Sequence, residues 1–409
     1  MLALTRRLLV SPAAAALLGI AFLPAAHLTA QTPMVGPRSA GMAGAATAVA
    51  DDGTAVWTNP AGLARDERLD LELFGGGLAT NRNNFTSAVD SLSKIDLDAI
   101  RAGNLDELSR AVRDLQVLAQ PGTGVVGSGV AGLVFGKSGL AIAIDDLAYA
   151  GVYPLVDLVH VAPGNDPDHS LPFNQTGIAS AGLEAREVRL SYARSFFEKV
   201  LLVGATARYV EGRTYYFRQS VFDVAGSDPV DLAWDALKQN PRDTSKFTFD
   251  LGAMVNILGK ARVGLVSTAI NEPEFTVAQD PKDPALIGSP GVIRLPRTFR
   301  AGAAVEPIGA LTVAVDYDLR ATDTLVPGGR SRQLSAGVEV KIPLFAFRTG
   351  AFYDFEAPDP HWAYSAGFGF GTKMISVNAA VIFSPESGLS LSSTNRRDEG
   401  AALDARVRW

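Results

Sequence analysis

Leu311-Thr312-Val313-Ala314-Val315-Asp316-Tyr317-Asp318 is the stretch whose reading decides the fold. Its odd positions are apolar or aromatic and its even positions small or acidic. Side chains on a strand point alternately to opposite faces, so one face seeks an apolar medium and the other water. The same alternation sets Val188, Leu190 and Tyr192 against Arg189, Ser191 and Ala193, and sets Ile375, Val377, Ala379, Val381 and Phe383 against Ser376, Asn378 and Ala380. It closes the chain, where Leu403, Ala405, Val407 and Trp409 oppose Ala402, Asp404, Arg406 and Arg408. A soluble sandwich also alternates, but it does not place charge repeatedly on the inner face of so many strands. The pattern predicts an all-β, transmembrane antiparallel barrel of about fourteen strands, the first near 67–79, the fourth near 184–197 and the last near 400–409. Tight connections such as Lys137-Ser138, Leu258-Gly259-Lys260, Pro307-Ile308-Gly309 and Thr372-Lys373 alternate with long ones. That is the arrangement of short periplasmic turns and long outer loops, with both chain ends on the periplasmic side. Arg189, Arg208, Asp316, Asp318 and Arg348 are expected to face a polar lumen.

The ends and the composition agree. Arg6 and Arg7 precede an apolar stretch from Leu8 to Leu23 and the small residues Ala25, Ala26 and Ala30, the layout of a secretory signal removed near Ala30. Pro12 and Pro24 break that stretch, which argues against an uncleaved anchor. The expected division is therefore a signal at 1–30, a hatch or plug segment at 31–65 and a barrel at 66–409, in the outer membrane of a Gram-negative cell. The chain has no Cys, which excludes disulfides, thiolate metal sites and lipid-modified cysteine. With 47% hydrophobic residues, it still has no run of about eighteen apolar residues beyond the signal, so helical membrane crossing is excluded. The net charge of −6, about −8 once Arg6 and Arg7 leave, speaks against a nucleic-acid partner. Outer-membrane lipid is the expected surrounding. The alternating C-terminal segment with its terminal Trp409 resembles the signal read by outer-membrane assembly machinery, carried by Leu403, Ala405, Val407 and Trp409.

Between signal and first strand, Gly36 to Ala64 includes Arg38-Ser39-Ala40-Gly41-Met42-Ala43-Gly44, Ala50-Asp51-Asp52 and Asn59-Pro60-Ala61-Gly62. Gly and Ala permit close backbone packing, and Asn-Pro-Ala-Gly is a turn-forming run that ends any helix begun before it. These motifs resemble the N-terminal region of the outer-membrane superfamily that holds FadL-type transporters, PorV-like secretion proteins and conjugal-transfer TraF-like proteins. Later stretches are most similar to the TraF-like branch: Asp250-Leu251-Gly252-Ala253, Gly264-Leu265-Val266, Asn271-Glu272-Pro273-Glu274-Phe275 and Leu295-Pro296-Arg297-Thr298-Phe299-Arg300-Ala301-Gly302 leading into Val315-Asp316-Tyr317-Asp318-Leu319. The resemblance implies a fourteen-stranded barrel with an N-terminal hatch that Asn59, Pro60, Ala61 and Gly62 stabilise. For the FadL-type branch it implies passage of hydrophobic molecules.

Other motifs mimic chemistry. Gly127-x-Gly129-x-x-Gly132 has the spacing of a dinucleotide fingerprint, but a strand and not a helix follows it. Asp157, His160, Asp166, Asp168 and His169 share one loop, read as solvated acidic chain rather than as a cation site. Four His residues and no local nucleophile signature give no catalytic residue, no metal ligand and no cofactor, so no enzyme is expected. Tyr215, Tyr216 and Phe217, with Trp362 and Tyr364, are read as an interfacial aromatic girdle. The segment 91–118 carries apolar residues at helical spacing and predicts a helical insertion in the first long loop. Two functions fit: passage of small hydrophobic, long-chain fatty acid-like compounds, or a non-conducting structural or secretion- and conjugation-associated barrel that binds an envelope protein partner.

Overall fold

The computed structural model describes residues 28–29, 33–223, 240–279, 286, 288–384 and 397–409. The expected signal and its cleavage position lie almost entirely outside them, with Leu28 and Thr29 the described exceptions.

Fourteen strands form one closed antiparallel barrel in which each pairs with its neighbours in sequence and the last pairs with the first. They are β1 (Asp70–Arg82), β2 (Gly124–Lys137), β3 (Leu140–Leu155), β4 (Gly177–Phe196), β5 (Leu201–Ser220), β6 (Arg242–Ile257), β7 (Ala261–Thr268), β8 (Thr298–Ile308), β9 (Leu311–Asp318), β10 (Gln333–Ile342), β11 (Phe345–Asp354), β12 (Trp362–Gly371), β13 (Ile375–Phe383) and β14 (Asp398–Arg408). Closure runs from Arg408 opposite Asp70 to Asp398 opposite Thr80. Closure leaves no strand edge, which is what lets a sheet stand in lipid without unpaired backbone groups.

The predicted faces hold. Leu190, Tyr192, Ile375, Val377 and Leu403 are exposed, while Arg189, Ser191, Asn378 and Asp404 are buried inside. The exposed Leu, Val, Ile and Phe side chains of nearly every strand form the apolar belt that a bilayer covers. No described helix is long and apolar enough to cross a membrane.

Three expectations are corrected. The helical insertion is three helices, Phe85–Ser93, Leu97–Arg101 and Leu105–Leu118, because Asp96 and Asn104 each cap a fresh start with their side chains. Strand β4 begins at Gly177, seven residues before the expected start at 184. There Ile178, Ala179, Ala181 and Leu183 are all buried, so covering loops erase the period-two pattern. Strands β4 and β5 have 20 residues each. At about 3.3 Å per residue they run roughly 66 Å, far past a belt of about 25 Å. Tyr216 sits on that projecting part, fully buried, and Tyr215 is nearly so, its hydroxyl donating to Glu184 Oε2 at 2.6 Å. Neither belongs to an aromatic girdle. Trp362 and Tyr364 do face outward, with Trp362 packed on Tyr353.

Candidate functional site: the hatch and the occluded lumen

Residues 33–65 fill the bore. Gly36, at φ +75°, turns the chain into a helix at Gly36–Gly41 with Pro37 in its first turn, and Gly44, at φ +91°, turns it back. A second short helix, Ala55–Thr58, stops at Asn59, which caps the 3₁₀ turn Pro60–Ala64 by accepting from Ala61 N. Extended backbone at Asn59 obeys the restriction that a following proline imposes.

Asn59 is fully buried. Its Nδ2 donates to Thr47 O at 2.9 Å and to Ala253 O of β6 at 3.3 Å, while its Oδ1 accepts from Ala61 N at 3.2 Å. One side chain therefore ties two turns of the hatch to each other and to the wall. Pro60, Ala61 and Gly62 bury the adjoining turn, and a Cβ on Gly62 would overlap Ala50.

The wall meets the hatch with glycine. A Cβ on Gly252 of β6 would overlap Asn59 Oδ1 and lie 2.9 Å from Pro60 Cδ. On Gly264 of β7 it would lie 2.7 Å from Thr47 O, on Gly302 of β8 2.8 Å from Thr47 Cβ, and on Gly350 of β11 2.6 Å from Met42 C. Gly204 and Gly337 are equally tight, against Pro60 and Met42. A row of glycines thus lines the inner wall from β5 to β8 and on β10 and β11, where the hatch packs against it.

Charges fasten the same segment. Arg38 donates to Glu339 of β10 through Nη2 (2.8 Å) and Nε (3.2 Å), and to Asp51 within the hatch at 2.6 Å. Arg406 of β14 bridges hatch Asp52 (2.9 Å) and wall Glu72 (3.0 Å). Asp316 Oδ2 accepts from the backbone N–H groups of Ala46 (3.0 Å) and Thr47 (2.8 Å), and Arg262 donates to Ala48 O at 2.9 Å. Arg348 reaches the hatch through Glu339, at 2.8 Å, and Arg189 through Trp57, over whose ring its guanidinium lies at 5.1 Å. Asp318 holds Arg300 (2.6 Å) and contacts no hatch residue among the described contacts.

Above the hatch, loops fold inward. Phe275 is buried against Gly212 of β5, and Leu325 against Gly151 of β3. Between loops and hatch a cavity of about 30 Å³ remains, lined by the apolar Val35, Leu147, Leu295 and Pro296 and by Trp57, Tyr149, Arg189, Arg208 and Asp250. It has room for a water or two, whereas benzene needs a cavity of about 150 Å³. The bore is shut.

The remaining expected residues fall elsewhere. Leu403 and Trp409 are exposed on the outer face of the barrel, and the Trp409 backbone exchanges hydrogen bonds with Leu69 at 2.9 and 3.0 Å. Ala405 and Val407 share that face, both in register with β13. Asp157 and Asp166 serve as local turn caps: Asp157 accepts from Val159 N (2.9 Å) and pairs with His160 (2.6 Å), and Asp166 pairs with His169 (3.1 Å). Among the described residues no three His, Asp or Glu side chains converge as metal ligands. Sequence reading missed Glu339, Arg262, Arg406 and Trp57 as hatch contacts. It read the Gly252, Gly264 and Gly302 stretches as strand signatures, whereas all three are hatch seats.

A family model described as F plasmid transfer operon, TraF, protein matches residues 56–318. The chain matches no curated protein. Among solved structures it is similar to a TodX monoaromatic hydrocarbon channel carrying the deltaS2S3 mutation, at 12% identity over 92% of this chain and 98% of that one, with a TM-score of 0.52. It is also similar to the toluene transporter TbuX of Ralstonia pickettii, at 14% identity over 91% and 97%, with a TM-score of 0.51.

Proposed function

We propose, since the chain belongs to the family of the TraF protein of the F plasmid transfer operon and folds as a FadL-type barrel, that it is an outer-membrane channel for small hydrophobic compounds, held closed by its hatch. The observation that carries the reading is the cavity between hatch and loops, apolar along Val35, Leu147, Leu295 and Pro296. On this reading it widens into a ligand site when the segment 33–35, which precedes the Gly36–Gly41 helix, shifts. The similar structures are named as channels or transporters of toluene and monoaromatic hydrocarbons, which supports this substrate class for the present chain. On this reading the N-terminal stretch exports the chain, the Leu403, Ala405, Val407 and Trp409 face guides assembly into the membrane, Asn59-Pro60-Ala61-Gly62 locks the hatch, and no catalytic step is involved.

The packed bore favours a second reading, a non-conducting barrel that binds an envelope secretion protein. Proteoliposomes holding the full chain, or a variant lacking Gly36–Ala64, separate the two. Faster entry of toluene through the variant supports transport. Equal impermeability of both, together with a stoichiometric protein partner retained on purification, overturns it.

A further inference from the structure

We infer that the cavity above the hatch is a subsite for neutral molecules that carry a hydrogen-bond donor on an apolar body, such as a phenol, and that it rejects carboxylate anions; this rests on the transport reading. Two buried polar atoms at the cavity lack a hydrogen-bond partner among the described residues: Trp57 Nε1 and Asp250 Oδ2. Trp57 is 7% exposed and Asp250 1%. A buried polar group without a partner costs about 1–3 kcal/mol, so both atoms favour any ligand that supplies the missing bond.

The neighbours of Asp250 are already committed. Its Oδ1 accepts from Ala269 N at 2.8 Å and Arg208 Nη1 at 3.1 Å, and Oδ2 has only Arg189 Nη1, at 3.5 Å, in ion-pair range. Arg208 spends Nε and Nη2 on Glu187, at 2.8 and 2.7 Å. Arg189 spends Nε on Asp145 at 2.8 Å and Nη2 on Glu187 at 2.7 Å. Three carboxylates therefore face two guanidiniums, a formal charge of −1 in a buried site, where like charges repel more strongly than in bulk water. The arginines that would attract a fatty-acid headgroup are neutralised in place. In the widened cavity a phenol would supply the vacant chemistry: its O–H donating to Asp250 Oδ2, its oxygen accepting from Trp57 Nε1, and its ring against the apolar lining of Val35, Leu147 and Leu295.

The test uses the purified full chain in mild detergent and equilibrium dialysis against toluene, p-cresol and benzoate, three molecules of one ring size. The wild type should hold p-cresol about tenfold more tightly than toluene, one charge-assisted hydrogen bond less its desolvation, and benzoate more weakly than either. Trp57→Phe keeps an aromatic ring and drops the N–H, so the ratio of p-cresol to toluene binding should fall severalfold. Asp250→Asn, if it folds, should lose the cresol preference and relax the exclusion of benzoate. Equal binding of toluene and p-cresol, tightest binding of benzoate, or an unmoved ratio in Trp57→Phe would overturn the inference and leave transport standing. Binding of none of the three, with no passage after hatch deletion, removes the transport reading itself.

Discussion

Replacing Gly252 with Ala should unseat the hatch. The added methyl overlaps Asn59 Oδ1 and reaches within 2.9 Å of Pro60 Cδ, and β6, pinned on both sides by β5 and β7, cannot retreat. Asn59 has to move instead. Its movement breaks three hydrogen bonds, to Thr47 O, to Ala253 O and from Ala61 N. At about 1 kcal/mol net for each bond, the seated hatch loses roughly 3 kcal/mol, which raises the population of its unseated form about 150-fold. The control is Gly309→Ala in the turn between β8 and β9, where a Cβ meets nothing within 4 Å. Hydrogen exchange followed by mass spectrometry reads the change: amides of residues 40–64 should exchange about two orders of magnitude faster in Gly252→Ala, those of the barrel strands at the parent rate. Unchanged hatch exchange in Gly252→Ala, or an equal effect in Gly309→Ala, would refute the claim that the wall glycines seat the hatch.

Arg38→Ala and Glu339→Ala should differ although they break the same pair. Loss of Arg38 leaves Glu339 with Arg348 (2.8 Å) and Lys341 (3.0 Å), whereas loss of Glu339 leaves Arg38 to its hatch partner Asp51 (2.6 Å) and leaves Arg348 a buried cation held by the neutral Asn378 amide (3.0 Å). Expected costs are about 1–3 and about 3–5 kcal/mol, read as the drop in urea midpoint for hatch release; equal costs would contradict the geometry. His361, in the loop before β12, is pulled down by burial but raised overall by its 2.6 Å bond to Asp398, so its folded pKa lies above the unfolded value. The sign follows: its contribution is complete below about pH 6.5 and lost as pH rises through the higher folded pKa. The protection of amides 355–361, corrected for the intrinsic rise of exchange with pH, should fall as pH rises above about 6.5, and His361→Gln should flatten that profile; a pH-independent protection in the wild type counts against the pair. Trp409→Ala, which keeps the backbone pair with Leu69, should lower the amount of heat-modifiable barrel in the membrane several-fold, while barrel that does form keeps its thermal stability, since the indole is exposed. Equal loss of both would mean that Trp409 only stabilises the strand.

The barrel was legible because its signal is repeated. Each strand states the same alternation, and the tight turns at Lys137-Ser138 and Thr372-Lys373 mark where it reverses. The signal fades where both faces are covered, hence the late expected start of β4 and the misplaced Tyr215 and Tyr216. The hatch was legible as a segment from its Gly and Ala content and from Asn59-Pro60. Its seat was not, because a wall glycine is recognised by what lies opposite it, and Thr47 and Gly264 are more than two hundred residues apart. Inward Asp316 could be read as polar, but nothing in Val315-Asp316-Tyr317 says that its carboxylate receives the hatch backbone at Ala46 and Thr47.

What closes the bore also determines how it can open. The hatch meets the wall through glycine, backbone and ion pairs, and through buried apolar side chains along its length, such as Met42, Val49, Val56 and Trp57, the last against Phe74. Burial of apolar surface is lost without compensation on leaving a site unless lipid or ligand replaces it. Water replaces the contacts of Arg38, Asp52, Asp316 and Arg262 when it follows the hatch out. The fourteen strands close on one another without hatch residues in the ladder, so the wall does not depend on the segment for its backbone hydrogen bonds. Glu339 would keep Arg348 and Lys341, and Arg406 would keep Glu72. A polar, self-paired inner wall therefore makes release of the hatch a local event, whose cost is the hydrogen bonds and the apolar burial of the hatch itself, around Met42, Val49, Val56 and Trp57, and not the ladder of the barrel.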